Sequence, residues 1–278
     1  MASELQHTLW LWLEGLFPRR VWYYLLNQGL VATPSDLLDG KTTAASLRLN
    51  RMHMDMATGT WLFADPSNPA PQGASTPCLG ISDPATGETR YVYESASILA
   101  YLETVYGNSH AGANAAMPRD DPVDVATMHD VIGMVNLAML DSGYYTRHAI
   151  PALAAWSGLA NEDRSGGAAR NARASMAKSL GKVQTWAASS LKTTGWLTPG
   201  TGGGPGLADF CLAAARRYLE LTFGWDIFEG EGEGNGEDLK ELVAWYERFK
   251  GLEWWEAAEE HVIVQPPQLR MGKESREF

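Results

Sequence analysis

Cysteine is scarce, with only Cys78 and Cys211 in 278 residues. Two thiols cannot form a disulfide framework, which points to a reducing compartment. No Cys-x-x-Cys pair is present, so thioredoxin-type disulfide exchange is not expected. The six histidines contain no His-x-x-x-His pair, so no built-in metal site is expected. Positive charge is also short: 22 Lys and Arg stand against 33 Asp and Glu, a net charge of −11. There is no basic stripe, which argues against nucleic acid or an acidic membrane surface as a partner. The start of the chain, Met1 to Gly15, has only a short apolar run. Leu9-Trp-Leu-Trp-Leu13 is too short to span a bilayer and no basic stretch precedes it. It reads as an interior strand, and the expected location is cytoplasmic. The glycines from Gly200 to Gly206 follow no strand and precede no Gly-Lys-Ser/Thr. They read as a flexible loop, not a phosphate cradle. What is plentiful is apolar residue, 45% against 20% charged. That is enough for one large or two ordinary domains.

The first half alternates strand and helix signals. His7 to Leu13 reads as a buried strand. Pro18 and the Arg19-Arg20 pair open a helix, with Val21, Tyr24 and Leu25 on one face, and Gly29 stops it. A second strand, Ser46-Leu-Arg-Leu49, lies within 45–56. Trp61-Leu-Phe63 is expected to be a short helix. Asp65 to Ser75, with three prolines and a glycine, is a loop. Thr76–Ile81 and Arg90–Tyr93 flank Asp83-Pro-Ala-Thr-Gly87, a hairpin turn. Ile98, Tyr101, Leu102 and Val105 then give one helical face. The order βαβαββα is that of an α/β thioredoxin-like domain over residues 1–106.

Residues 107–122 are rich in Gly, Ala, Asn, Asp and Pro and read as a linker. Strand signals stop there. Val125, Met128, Ile132, Val135 and Met139 form one helical stripe. Asn171–Leu191 is an alanine-rich helix. Leu207–Leu221 and Leu239–Tyr246 supply two more stripes. Residues 123–278 are therefore expected to form an all-helical domain. Glu229–Glu237 reads as an acidic loop and Gln265–Phe278 as a polar tail, disordered or lying across the surface.

The stretch richest in chemistry is Tyr91-Val-Tyr-Glu-Ser-Ala-Ser-Ile-Leu-Ala-Tyr-Leu-Glu103, with Thr76-Pro-Cys-Leu79 upstream. Ser95 is expected to cap the helix, whose first backbone N–H groups form an anion site. Glu94 beside it suits an ammonium, so the pair suits a zwitterion. Thr-Pro-x-Leu, a hairpin and Glu-Ser-x-x-Ile-x-x-Tyr-Leu-Glu together resemble the glutathione transferase N-terminal domain. Gly206-Leu-Ala-Asp-Phe210 resembles that family's Ser/Thr-Leu-Ala-Asp helix start, with glycine in place of the capping hydroxyl. The resemblance extends over roughly residues 7–258 and is to the fungal transferase-like proteins of secondary metabolism. It implies glutathione as cofactor, a cis Pro77, and a homodimer. It places the γ-glutamyl group on Glu94 and Ser95, the cysteinyl backbone at Thr76 and Pro77, and the glycyl end near His53.

One part of the family pattern is missing. The segment Leu13-Glu-Gly-Leu-Phe-Pro-Arg-Arg-Val21 should supply a Tyr, Ser or Cys to the thiol, and it contains none. Gly15 and Phe17 occupy the usual positions. Backbone N–H groups at the helix start and the charges of Arg19 and Arg20 are what remain to hold a thiolate. The alternative for the two arginines is a solvated helix start. For the electrophile pocket the resemblance implicates Gly15, Phe17, Met128, His129, Ile132, Tyr144 and Tyr145. The alternative for Met128 and Ile132 is helical core.

These readings lead to a glutathione-dependent enzyme acting on a small apolar electrophile. The first form is trans–cis isomerisation of a conjugated alkene by reversible glutathione addition, and the second is glutathione conjugation. A non-catalytic binding or regulatory protein on the same fold is the third, and the missing hydroxyl favours it.

Overall fold

The computed structural model describes residues 5–55, 58–107, 115–228 and 238–278. The acidic stretch at 229–237 and part of the expected linker, 108–114, lie outside them. The chain divides into two compact units, one of residues 1–116 with 250–264, the other of residues 117–249 with 265–278.

The first unit is built on a five-stranded mixed sheet. Its elements run β1 (Gln6–Trp12), α1 (Leu16–Asn27), α2 (Pro34–Leu38), β2 (Leu47–Asp55), β3 (Thr60–Phe63), β4 (Cys78–Ser82), β5 (Thr89–Val92) and α3 (Ser95–Tyr106). The strand order is β3-β2-β1-β4-β5, parallel between β1 and β2 and antiparallel elsewhere. β1 is central and buried on both faces, which is why it reads as a continuous apolar run. This is the expected α/β thioredoxin-like arrangement, with two differences.

Trp61-Leu-Phe63 is a strand, not a helix. Trp61 pairs with Met54 and Phe63 with Met52 on β2. Trp61 and Phe63 alternate onto one face, where they pack on the buried cluster of Trp10, Met52 and Cys78. Three residues cannot distinguish helix from strand by periodicity. The available edge of β2 and the aromatic cluster decide it. The second difference is the short helix α2, capped by Thr33, whose hydroxyl accepts from the Asp36 amide at 3.1 Å.

The loop 65–75 closes over the aromatic cluster, with Ala70 and Ala74 packed against it. Asn50 fixes the loop. Its amide nitrogen donates to the carbonyls of Asp65 (3.0 Å) and Asn68 (2.6 Å), and its Oδ1 accepts from the Asp65 amide (2.9 Å). Trp10 Nε1 donates to the Asn68 carbonyl as well. The tryptophans here serve the core.

The second unit contains α4 (Pro122–Ala149), α5 (Pro151–Trp156), α6 (Gly166–Trp186), α7 (Ala188–Thr193), α8 (Leu207–Phe223) and α9 (Lys240–Lys250). α4 opens on the Asp121 side chain, which accepts from the Val123 amide, followed by Pro122 at the first helical position. Its buried stripe includes Met128, Val131, Ile132, Val135 and Met139. α8 is almost wholly buried, and Asp209 organises its start. That carboxylate accepts from the amides of Leu197 (2.7 Å), Thr198 (3.1 Å) and Gly206 (2.9 Å) and from Trp245 Nε1 (2.7 Å). The hydroxyl missing at Gly206 is replaced from elsewhere: Thr198 Oγ1 accepts from the Ala208 amide at 3.1 Å.

The tail is ordered. Residues 267–269 and 273–275 form single 3₁₀ turns. The Met271 amide donates to the Thr222 carbonyl at 2.6 Å, the Glu277 amide to that of Ala149 at 2.9 Å, and Arg164 pairs with Glu277 at 2.6 Å. Its backbone thus finds partners on the helices, which composition alone does not reveal.

Candidate functional site

In the first unit the expected glutathione-binding residues gather at one end of the sheet. The Gly15 amide donates to the Trp12 carbonyl and the Arg19 amide to that of Gly15, so the chain turns directly from β1 into α1. Trp22 Nε1 pins the turn by donating to the Leu13 carbonyl at 3.1 Å. The Trp12 amide donates to Thr76 Oγ1 at 3.1 Å, fastening the Thr76-Pro77 segment beside the same turn. The Thr76–Pro77 bond is cis, as the Thr-Pro-x-Leu pattern predicts. Trp12 also pairs with Met52, so His53 sits just beyond the same end. His53 lies within β2, exposed, and not after the strand as expected.

At the start of α3 the roles of Glu94 and Ser95 differ from expectation. Glu94 is the N-cap residue and Ser95 the first helical one, with no capping bond from either side chain. Glu94 is exposed, and Ser95 is buried. The Ser95 hydroxyl accepts instead from Arg20 Nη1 at 3.5 Å, and the Arg20 guanidinium lies 5.0 Å from the centre of the Phe17 ring. Ser95 is held from behind by a buried cation, a tertiary contact that the local capping pattern does not encode.

Neither arginine is a solvated helix start, since both are fully buried. Arg19 forms an ion pair with the buried carboxylate of Glu259, which also accepts from the Tyr23 hydroxyl at 2.6 Å. Burial opposes the Arg19 charge, but Glu259 and Tyr23 outweigh it and raise the pKa. Arg19 is thus committed to residues 250–264, and its charge is matched there. Glu259 carried no local sequence signal that paired it with Arg19.

The α1 start offers few thiol partners. Gly15 is its N-cap, with no capping side chain, and Pro18 removes one of the first-turn N–H donors, leaving those of Leu16 and Phe17. A Cβ on Gly15 would lie 2.9 Å from Trp12 Cε3 and 3.1 Å from Pro18 Cδ, so the position admits no side chain without movement. Cys78, next to Pro77, is buried, and burial pushes its thiol up to about 11. It is a core thiol, not a nucleophile.

The pocket expectations divide. Phe17 is exposed, as are His129 and Tyr144 on α4. Met128, Ile132 and Tyr145 are buried. Tyr145 belongs to the interior of the second unit: its hydroxyl donates to the Phe278 carbonyl at 2.8 Å and its ring lies 4.6 Å from that of Trp225. It is not a free pocket wall.

No known family profile and no curated protein matches the sequence. Solved structures do match. Ure2p5 from Phanerochaete chrysosporium, cocrystallised with 1-(S-glutathionyl)-2,4-dinitrobenzene, has a TM-score of 0.55 at 15% identity, over 92% of this chain and 94% of its own. Maleylacetoacetate isomerase from Anaeromyxobacter dehalogenans, with bound glutathione, has a TM-score of 0.55 at 19% identity, over 97% of this chain and 100% of its own. FzlA from C. crescentus has a TM-score of 0.55 at 16% identity, over 95% of each chain. The fold is therefore that of the glutathione transferases, a thioredoxin-like α/β unit followed by a helical one.

Proposed function

We propose that the chain is a glutathione-dependent enzyme acting on a small apolar electrophile, in the first instance by trans–cis isomerisation of a conjugated alkene. The observation that carries this reading is the construction of the α3 start. A buried guanidinium backs the Ser95 hydroxyl, first-turn N–H groups follow it, and an exposed carboxylate, Glu94, stands beside them. That set fits a zwitterionic amino-acid end, with Ser95 and the backbone toward the carboxylate and Glu94 toward the ammonium. Thr76, fastened to β1 and followed by cis Pro77, would take the cysteinyl backbone. His53 would lie toward the glycyl end.

Bound glutathione would supply a thiolate that adds reversibly to an activated alkene, so that rotation before elimination isomerises it and retention of the adduct conjugates it. The chain's part is to hold the sulfur at the start of α1. The N–H groups of Leu16 and Phe17 face a thiolate there with the positive helix end behind them. Because Arg19 is matched by Glu259, that stabilisation rests on the backbone more than on side-chain charge. Such modest activation suits a strongly conjugated acceptor. It also suits reversible addition, since a weakly stabilised adduct is readily lost.

A maleylacetoacetate isomerase on this fold, solved with glutathione and with dicarboxyethyl glutathione, and Ure2p5, solved with 1-(S-glutathionyl)-2,4-dinitrobenzene, support isomerisation and conjugation as a pair. The cytoplasmic location, the homodimer and a role in fungal secondary metabolism, such as that of the trans–cis isomerase of pseurotin biosynthesis, belong to the same proposal. The third reading, a non-catalytic binding protein, rests on the absence of any side-chain hydroxyl or thiol from segment 13–21. An absorbance assay on a panel of conjugated alkenes, with and without glutathione, separates the three. Isomerisation without glutathione consumption supports the first form, and stoichiometric consumption the second. No turnover despite glutathione binding supports the third.

A further inference from the structure

Trp12 stands where three parts of the proposed glutathione site meet. It is the last residue of β1, and strand alternation puts its side chain on the same face as Trp10. Trp10 is buried, but Trp12 is only partly so. Its ring packs on the aromatic cluster and meets Trp61 edge to face, with centres 5.5 Å apart. Its amide donates to Thr76 Oγ1, on the residue that would take the cysteinyl backbone. Its Cε3 lies 2.9 Å from where a Cβ on Gly15 would stand. The ring thus fills the space into which a side chain at position 15 would project, and Gly15 itself is buried. A cysteinyl side chain running from Thr76 to the N–H groups of Leu16 and Phe17 passes this ring.

What the ring offers a sulfur follows from its charge distribution. An aromatic face is negative and its edge positive, so a thiolate is favoured at the edge. Sulfur at a ring edge is a recurrent favourable contact. Cε3 is an edge carbon, and this is the edge turned to Gly15. An edge C–H neither takes nor gives a proton, so the ring acts by stabilising the anion and not as an acid or base. The volume that the family reserves for a hydroxyl at the helix start is taken here by a ring from three residues upstream. Trp12 and a side chain at position 15 are therefore alternatives: one excludes the other.

We infer that Trp12 is the catalytic side chain of the thiol site: its ring edge contacts the cysteinyl sulfur and, with the N–H groups of Leu16 and Phe17, holds it as a thiolate. The inference rests on the glutathione site proposed above. Its test is thiolate absorbance against pH for glutathione bound to the full chain, with binding itself followed by calorimetry. Trp12→Leu keeps apolar bulk and removes the ring edge. Glutathione still binds it, but the thiolate fraction at neutral pH falls about two- to tenfold, the range of a sulfur–aromatic contact. Trp12→Phe retains most of that fraction. Trp12→Ala loses it, and Trp12→Ala with Gly15→Ser recovers it, because the space is opened and a hydroxyl enters. Wild-type chain labelled with fluorotryptophan reads the contact without any destabilising change, the Trp12 signal being the one that Trp12→Phe deletes. That signal follows the ionisation of bound glutathione and does not titrate with bound S-methylglutathione. Glutathione bound to Trp12→Leu with an unchanged thiol pKa overturns the inference alone, as does a Trp12 signal indifferent to the thiol's ionisation. A wild type that binds no glutathione overturns the underlying site and this inference with it.

Discussion

Removing the Glu259 carboxylate should be among the most damaging single changes to the first unit. Glu259 and Arg19 are both fully buried, and the Tyr23 hydroxyl completes the carboxylate's shell. Around them lie Trp22, 5.4 Å from the guanidinium, and Trp254 and Trp255 against Tyr23. Glu259→Leu would leave the Arg19 cation without its counter-charge in an apolar cage, which costs about 3–5 kcal/mol. Tyr23→Phe removes one hydrogen bond to a charged acceptor and should cost about 1.5–3 kcal/mol. The double change Arg19→Met with Glu259→Leu removes both charges. It should return most of the loss, and could exceed wild-type stability by about 1–4 kcal/mol if the side chains pack. Urea unfolding followed by hydrogen exchange at the α1 amides reads the unit directly. A Glu259→Leu cost below about 1 kcal/mol, the range of an exposed pair, would refute the reasoning. So would simple addition of the two single effects.

Other outcomes follow from packing. Gly15→Ser, which would restore a hydroxyl at the family's usual place, should destabilise by about 1–3 kcal/mol because its Cβ meets Trp12 and Pro18, and should not improve activity; a stable variant with a lowered thiol pKa would contradict this. Asn50→Ala removes three hydrogen bonds to the 65–75 loop and should cost about 2–3 kcal/mol, with loop amides exchanging faster; unchanged exchange at Asn68 would disprove the role. Cys78, with its thiol raised to about 11 by burial, should resist thiol reagents in the folded protein at pH 8 and react on unfolding; rapid native-state labelling would contradict its burial.

Local patterns carried much of the architecture. The stripe on α4, the Asp83–Gly87 turn and the Glu-Ser helix start each depend on neighbours close in sequence, and each lies where the sequence places it. The failures share one cause, a partner distant in sequence. β3 is a strand because β2 offers an edge and Trp10 a surface. Arg19 and Arg20 are buried because Glu259 and Ser95 receive them. Ser95 gives up the capping role for the same reason. Thr198 supplies the hydroxyl that Gly206 lacks, ten residues from the amide it caps. The tail is ordered because Thr222, Ala149 and Arg164 wait for it. In each case tertiary contact overrides a local preference.

The central claim is that the α3 start holds the zwitterionic end of glutathione, and calorimetric titration tests it most directly. Glutathione should bind the wild-type chain. Glu94→Ala should weaken it by about 1.5–3 kcal/mol, the scale of a charge-assisted hydrogen bond, and should matter far less for an analogue whose α-amine is acetylated. No binding to the wild type would contradict the account, as would a Glu94→Ala affinity equal to wild type for both ligands.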